Sequence, residues 1–148
     1  MIHRIHLNIG SNQGNRRDII ARAIALIAHK VPCRRIDISD YVESPPWGYE
    51  SPYPFLNRGL LLTSEADITP LGLLAVLKEI EQTLGRATPH RNADGTYRDR
   101  LIDIDIIDFD NIVSDDPALT LPHPRARQRD FVLRPLAQLD PSHPLLKS

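Results

Sequence analysis

The chain opens on strict alternation. Ile2, Arg4, His6 and Asn8 fall on one side, and His3, Ile5, Leu7 and Ile9 on the other, which predicts a strand over Ile2 to Ile9 with one buried face. Gly10-Ser11-Asn12-Gln13-Gly14 breaks it. Asn15 can then cap a helix with Asp18 in its first turn, and Ile20, Ala23, Ile24 and Ile27 recur at helical spacing to about His29. A second strand is predicted from Arg34 to about Val42. Ser44-Pro45-Pro46-Trp47-Gly48 through Pro54 reads as a loop, because each proline removes a donor and biases its predecessor toward extended geometry. Phe55 to Thr63 predicts a third strand. Thr69-Pro70 is a helix start, Leu73, Leu77, Ile80 and Leu84 its apolar stripe, and Gly85 its end. A loop-like stretch runs from Arg86 to Arg100, followed by a strand through Phe109. Asp110-Asn111 suggests a turn into a short strand at Ile112-Val113. Beyond the break at Leu121-Pro122-His123-Pro124, a short helix near Arg125 to Asp130 and a last strand near Val132 to Leu139 complete the reading. The order is βαββαβ with additions. It predicts an α+β fold with a ferredoxin-like core: an antiparallel sheet, helices packed on one face, and long loops.

The segment Arg100-Leu101-Ile102-Asp103-Ile104-Asp105-Ile106-Ile107 carries the chemistry. Residues two apart on a strand share a face, so Asp103 and Asp105 point one way, about 6–7 Å apart at Cα, and Ile102, Ile104 and Ile106 the other. Two carboxylates side by side repel unless a cation sits between them. A hard, oxygen-seeking ion such as Mg²⁺ suits them, and Mg²⁺ commonly brings phosphates. The alternative is a solvent-facing edge strand whose aspartates only deter aggregation. The flanks favour the cation: Arg86, Arg91, Arg98 and Arg100 stand upstream against Asp94 and Asp99. Downstream, His123, Arg125, Arg127, Arg129 and Arg134 face only Asp130. Carboxylates for the metal and guanidinium forks for phosphate oxygens fit a metal–polyphosphate complex.

Composition narrows the classes. At 148 residues a single domain, 1–148, with one substantial core is expected. The formal charge of −1 gives no global basic field for non-specific nucleic-acid binding, and no exposed aromatic pair sits mid-strand for RNA stacking. Cys33 is the single cysteine, which excludes an internal disulfide and suits a reducing compartment. No signal-peptide pattern or membrane-length apolar run is evident, so a cytoplasmic protein without a membrane partner is expected. The thirteen prolines fall mostly outside the periodic segments and stiffen the loops.

Placed in order, Gly10-Ser11-Asn12, Ser44-Pro45-Pro46-Trp47-Gly48, Phe55-Leu56-Asn57, Glu81 with Gly85-Arg86, Arg100 with Asp103-Ile104-Asp105, and Pro122-His123 with Arg129 and Phe131 form a set. Each is weak alone. Together, nearly end to end, they make the chain resemble the 6-hydroxymethyl-7,8-dihydropterin pyrophosphokinases of folate biosynthesis. The resemblance implies pyrophosphoryl transfer from ATP to a reduced pterin, with AMP released and two Mg²⁺ ions held by Asp103 and Asp105. It also implies phosphate-side, catalytic roles for Arg86, Arg100 and Arg129, and ATP contacts from Glu81, Arg100, Ile106, His123 and Arg129. The pterin, a flat polar heteroaromatic, would lie between Phe55 and Phe131, with Asn57 at its edge and Ser44, Pro45 and Trp47 beside it. A monomer is expected, with ATP and the pterin as its small-molecule partners.

Three departures from the family pattern stand out. Arg98-Asp99 stands where a small residue and proline are usual just before Arg100, with Tyr97 where an aromatic, often tryptophan, is usual. The 86–100 loop is several residues longer than in compact relatives and would act as a lid over ATP, with Arg91 or Arg98 as its second arginine. Asp108 stands where an apolar residue is common. Two competing readings are another Mg²⁺-dependent phosphoryl or nucleotidyl transferase and a catalytically silent ligand-binding module on the same fold.

Overall fold

The computed structural model describes residues 1–46, 52–85 and 101–147. Trp47, Arg86, Arg91, Tyr97, Arg98, Asp99 and Arg100 lie outside the described residues.

Strand β1 (His3–Ser11) runs through the middle of an antiparallel sheet, between β4 (Phe55–Ser64) and β5 (Asp103–Phe109). On the far side of β4 lie β2 (Arg35–Ile38) and β3 (Val42–Ser44), giving the path β2-β4-β1-β5 with β3 also on β4. Helices α1 (Arg16–Lys30) and α2 (Pro70–Gly85) cover one face. This is the expected ferredoxin-like core. Asn15 caps α1 as predicted, its side chain accepting from the Asp18 N–H. Ile20, Ala23 and Ile27 of α1 and Leu73, Leu77 and Ile80 of α2 pack on Ile5, Leu7, Ile9, Leu60, Leu62, Ile104, Ile106 and Phe109.

The predicted strand from Arg34 to Val42 is two segments on one path. Ile38 pairs with Leu60 but Val42 with Asn57, so four steps on one strand match three on the other, an irregularity of the bulge type. Another break in register lies at His6/Leu7, where His6 faces Asp108 and Leu7 faces Ile106. Simple alternation would drive Asp108 into the core with Ile104 and Ile106. The bulge instead turns Asp108 to the opposite face and sends Phe109 to the core.

Two expectations fail near the C-terminus. The Asp110-Asn111 turn forms, with both residues at positive φ, but Ile112-Val113 is not a strand. The chain passes on to β6 (Ser114–Asp116), which pairs with β7 (Leu119–Leu121) in a separate ribbon. The segment read as a last strand is helix α3 (Asp130–Leu139), preceded by a 3₁₀ turn at Ala126–Gln128. It lies on the sheet face opposite α1 and α2, so the one-face expectation holds only for those two helices. Val132 and Leu136 of α3 pack with Ile107, Ala126 and Leu145 in a second, smaller core. Pro135 inside α3 has no N–H to offer the carbonyl four residues earlier, Phe131. The Asn8 side chain of β1 supplies that donor, 3.1 Å from the Phe131 oxygen. Tertiary structure rescues a helix that the proline argues against.

Candidate active site

The face of the sheet away from α1 and α2 carries Asn8 and Gly10 of β1, Phe55 and Asn57 of β4, and Asp103 and Asp105 of β5. Pairing sets their neighbours: Gly10 lies between Asn57 and Asp103, and Asn8 opposite Asp105. Ser44 and Pro45 close one side at the end of β3, while Arg129 and Phe131 come down from the start of α3. These ten residues line one pocket. Eight of them, Ser44, Pro45, Phe55, Asn57, Asp103, Asp105, Arg129 and Phe131, are candidates from the sequence. Asn8 and Gly10 are additions. Asn8 belongs to the polar phase of β1, a signal legible in the alternation, but its register with Asp105 is not.

One end of the pocket is built from carboxylates. Asp103 and Asp105 share the pocket face as the strand period requires, partly exposed. An Asp105 Oδ2 lies 3.9 Å from Arg129 Nη1, and that guanidinium also stands 5.7 Å from the Phe131 ring centroid. Glu81 of α2 accepts a hydrogen bond from the Ile104 N–H at 2.8 Å, fastening the strand between its two aspartates to the helix behind it. A pair of adjacent carboxylate oxygens is the donor chemistry that Mg²⁺ takes. The Ile106 side chain is 3% exposed in the main core, on the far face of the sheet, so any nucleotide contact there falls to its main chain.

The other end suits a flat polar ring. The Asn57 amide nitrogen donates to the Val42 carbonyl at 3.0 Å and to Ser44 Oγ at 2.8 Å, which fixes its plane. Its Oδ1 is turned toward Gly10, where an added Cβ would approach to 3.0 Å, with Phe55 Cδ1 at 3.4 Å. Glycine there keeps open the space beside an amide acceptor. Phe55 and Phe131 both line the pocket, Phe55 from the sheet and Phe131 from α3.

His123 sits at the rim, outside the lining residues. Its N–H donates to the Ile107 carbonyl, which anchors it on β5, and its Nδ1 accepts from the Arg125 N–H at 3.1 Å. Burial lowers its pKa to about 4, with Arg129 adding to the shift and Asp103 opposing it. The ring is therefore neutral at pH 7, and the accepting Nδ1 places its proton on Nε2, a donor for an anionic ligand. The unfolded chain takes up this proton from pH 6.5 downward, whereas the folded chain resists until about pH 4. The folded state accordingly loses stability as pH falls across that window, and keeps it fully above pH 6.5. His123→Gln is expected to flatten the slope of Tm against pH between 6.5 and 4. An unchanged slope in a scanning-calorimetry series would mean that His123 is not the group resisting protonation.

Residues 6–141 match the family model described as 7,8-dihydro-6-hydroxymethylpterin-pyrophosphokinase (HPPK). A 2-amino-4-hydroxy-6-hydroxymethyldihydropteridine pyrophosphokinase of Porphyromonas gingivalis is 40% identical over 140 residues, covering 93% of this chain and 90% of the relative. One of the same name from Methylorubrum extorquens is 36% identical over 138 residues, covering 93% and 83%. Among solved structures, a Plasmodium falciparum HPPK-DHPS chain superposes with a TM-score of 0.70 at 17% identity. It covers all of this chain but only 44% of its own length is matched, and at that identity the likeness concerns the fold. With the match running across almost the whole pocket-bearing sheet, the chain belongs to the 7,8-dihydro-6-hydroxymethylpterin-pyrophosphokinase family.

Proposed function

We propose that this chain transfers the pyrophosphoryl group of ATP to the hydroxymethyl oxygen of 6-hydroxymethyl-7,8-dihydropterin, releasing AMP, as a step of folate biosynthesis. The observation that carries the reading is one pocket lined by a carboxylate pair on β5 and, across Gly10 from it, by an amide and two phenylalanines. In the reaction a bond forms from the hydroxymethyl oxygen to the β-phosphorus, the bond from that phosphorus to the oxygen of AMP breaks, and the hydroxyl proton leaves to solvent. Asp103 and Asp105 would hold Mg²⁺, two ions in this proposal, and the metal would neutralise phosphate charge and keep the groups in line. Arg129 would take phosphate oxygens in competition with Asp105, whose Oδ2 lies 3.9 Å from its Nη1. His123 offers its Nε2–H to the nucleotide, and Glu81 acts by holding β5. Phe55 and Phe131 would sandwich the pterin, Asn57 Oδ1 would accept from its N–H edge, and Ser44 and Pro45 would bound it. Roles for Trp47, Arg86 and Arg100 rest on the family resemblance.

The proposal extends to a single domain over 1–148, monomeric and cytoplasmic, with ATP and the pterin as its partners and no nucleic acid or membrane among them. Among the described residues, no helix is long and apolar enough to cross a membrane. The deciding experiment follows AMP release from Mg²⁺-ATP with and without the pterin. AMP formed only with pterin is expected. ATP binding without pterin-dependent AMP would assign the site to another acceptor, and binding of both without turnover would leave a silent module.

A further inference from the structure

The same face of the sheet continues past Asn8 into a second cluster of titratable side chains, which pyrophosphoryl transfer does not use. Two histidine–aspartate pairs meet there: His6 Nε2 lies 3.1 Å from Asp140 Oδ2, and His143 Nε2 3.0 Å from Asp108 Oδ2. His3, on the core-facing phase of β1 with its ring against Phe109, pairs separately with Asp110. The rings of His6 and His143 meet edge to face, 4.7 Å between centroids. His6, Asp108 and His143 are each no more than 4% exposed. They come from three separate elements: β1, β5 and the turn after α3. Asp108 arrives only because the bulge opposite His6 turns it away from the main core.

We infer that His6, Asp108 and His143 form a binding site for a late first-row divalent metal ion of the Zn²⁺ class, distinct from the Asp103–Asp105 pair. Each offers one ligand atom, and the three atoms lie within 4.8 Å of one another. Two imidazoles and a carboxylate are the donor set of three-ligand zinc sites, with solvent in the fourth position. Ligands around such an ion stand about 3.4 Å apart, so the widest gap closes by up to about 1.4 Å on binding, while His143 Nε2 and Asp108 Oδ2, now 3.0 Å apart, separate slightly.

A second, independent observation points to a ligand. His6 Nδ1 is buried and has no hydrogen-bond partner, an unsatisfied position on a ring whose other nitrogen faces Asp140. When Nε2–H donates to Asp140, the arrangement is the carboxylate–histidine–metal relay that orients metal-bound histidines. A crevice of about 530 Å³ lined by Arg4, Asp110, Asp140 and Ser142 gives an ion a route to the three ligands. Asp108, Asp110 and Asp140 outnumber Arg4 and favour a cation there.

Binding has a structural consequence. His143 Nδ1 now accepts from the Leu145 N–H at 3.1 Å, so its proton is on Nε2. A metal on Nε2 moves that proton to Nδ1 and opens the Leu145 contact. The ion thereby exchanges a turn-capping bond for a tie between the C-terminal segment and the middle of the sheet.

Co²⁺ is the probe, added to the full chain in the presence of excess Mg²⁺. One equivalent is expected to give the intense visible bands of four- or five-coordinate Co²⁺, and Zn²⁺ to bleach them. The bands should persist in Asp103→Asn/Asp105→Asn and vanish in Asp108→Asn, which keeps a hydrogen-bond acceptor for His143. In wild type, Zn²⁺ should also raise Tm and shift the Leu145 amide resonance. Weak octahedral absorption in wild type overturns the site without recourse to any variant. Bands lost with the Asp103/Asp105 variant but kept in Asp108→Asn overturn it equally.

Discussion

Asp103→Asn and Asp105→Asn each reduce turnover by about 10³, while Tm moves little. The size follows from the charge. A metal that neutralises developing negative charge on phosphate supplies several kcal/mol at the transition state, and each 1.36 kcal/mol is about tenfold in rate. Asparagine keeps the shape and one oxygen but loses the charge that holds Mg²⁺ among competing water. Stability responds differently because both side chains are partly exposed on the pocket face. Surface changes of this kind stay within about 0.5 kcal/mol, and removing one of two neighbouring like charges relieves repulsion. Steady-state AMP release and a thermal melt on the same preparations check this. Parallel losses of activity and Tm would make the carboxylates structural instead.

Gly59→Ala lowers both stability and activity, although Gly59 does not line the pocket. Its hydrogen on β4 faces α3, where an added Cβ would lie 2.7 Å from Pro135 Cβ and 3.4 Å from Leu139 Cδ1. Leu139 Cδ1 can swing aside, but Pro135 Cβ cannot yield without moving the helix, since it belongs to a ring on the helix backbone. Overpacking of this kind costs about 1–3 kcal/mol, or about 3–10 °C in Tm for a chain of this size. The helix that moves carries Phe131 and begins beside Arg129, and a displacement of about 1 Å in a positioning element can cost about 10² in rate. The measurement is kcat/KM for the pterin against Tm. Full activity with a normal melt would show that α3 tolerates the extra carbon without shifting the site.

Much of the fold is legible because its signals are local. Alternation marked β1 and β5, the Asn15 and Thr69-Pro70 starts marked α1 and α2, and the period of β5 put Asp103 and Asp105 on one face before any contact was known. The failures share a cause. Helix α3 contains a proline in its interior, and read locally that argues against a helix. The donor that offsets it is Asn8, more than a hundred residues away in the chain. The split of the second strand and the turning of Asp108 both come from bulges, which are set by pairing partners rather than by the strand's own residues.

The sequence by itself determined the kinds of chemistry available: an acidic pair on a strand, arginines on both sides of it, and scarce aromatic residues beside an amide. It also determined the family, through motifs whose order and spacing survive without coordinates. Only the tertiary structure decided which of these groups share a pocket, that Asn8 and Gly10 belong to it, and that Ile106 turns its side chain away. It alone assembled His6, Asp108 and His143, which no local pattern connects. The physical reason is that periodicity fixes the direction of a side chain relative to its own strand or helix. Its partners are fixed by register, bulges and the packing of distant elements.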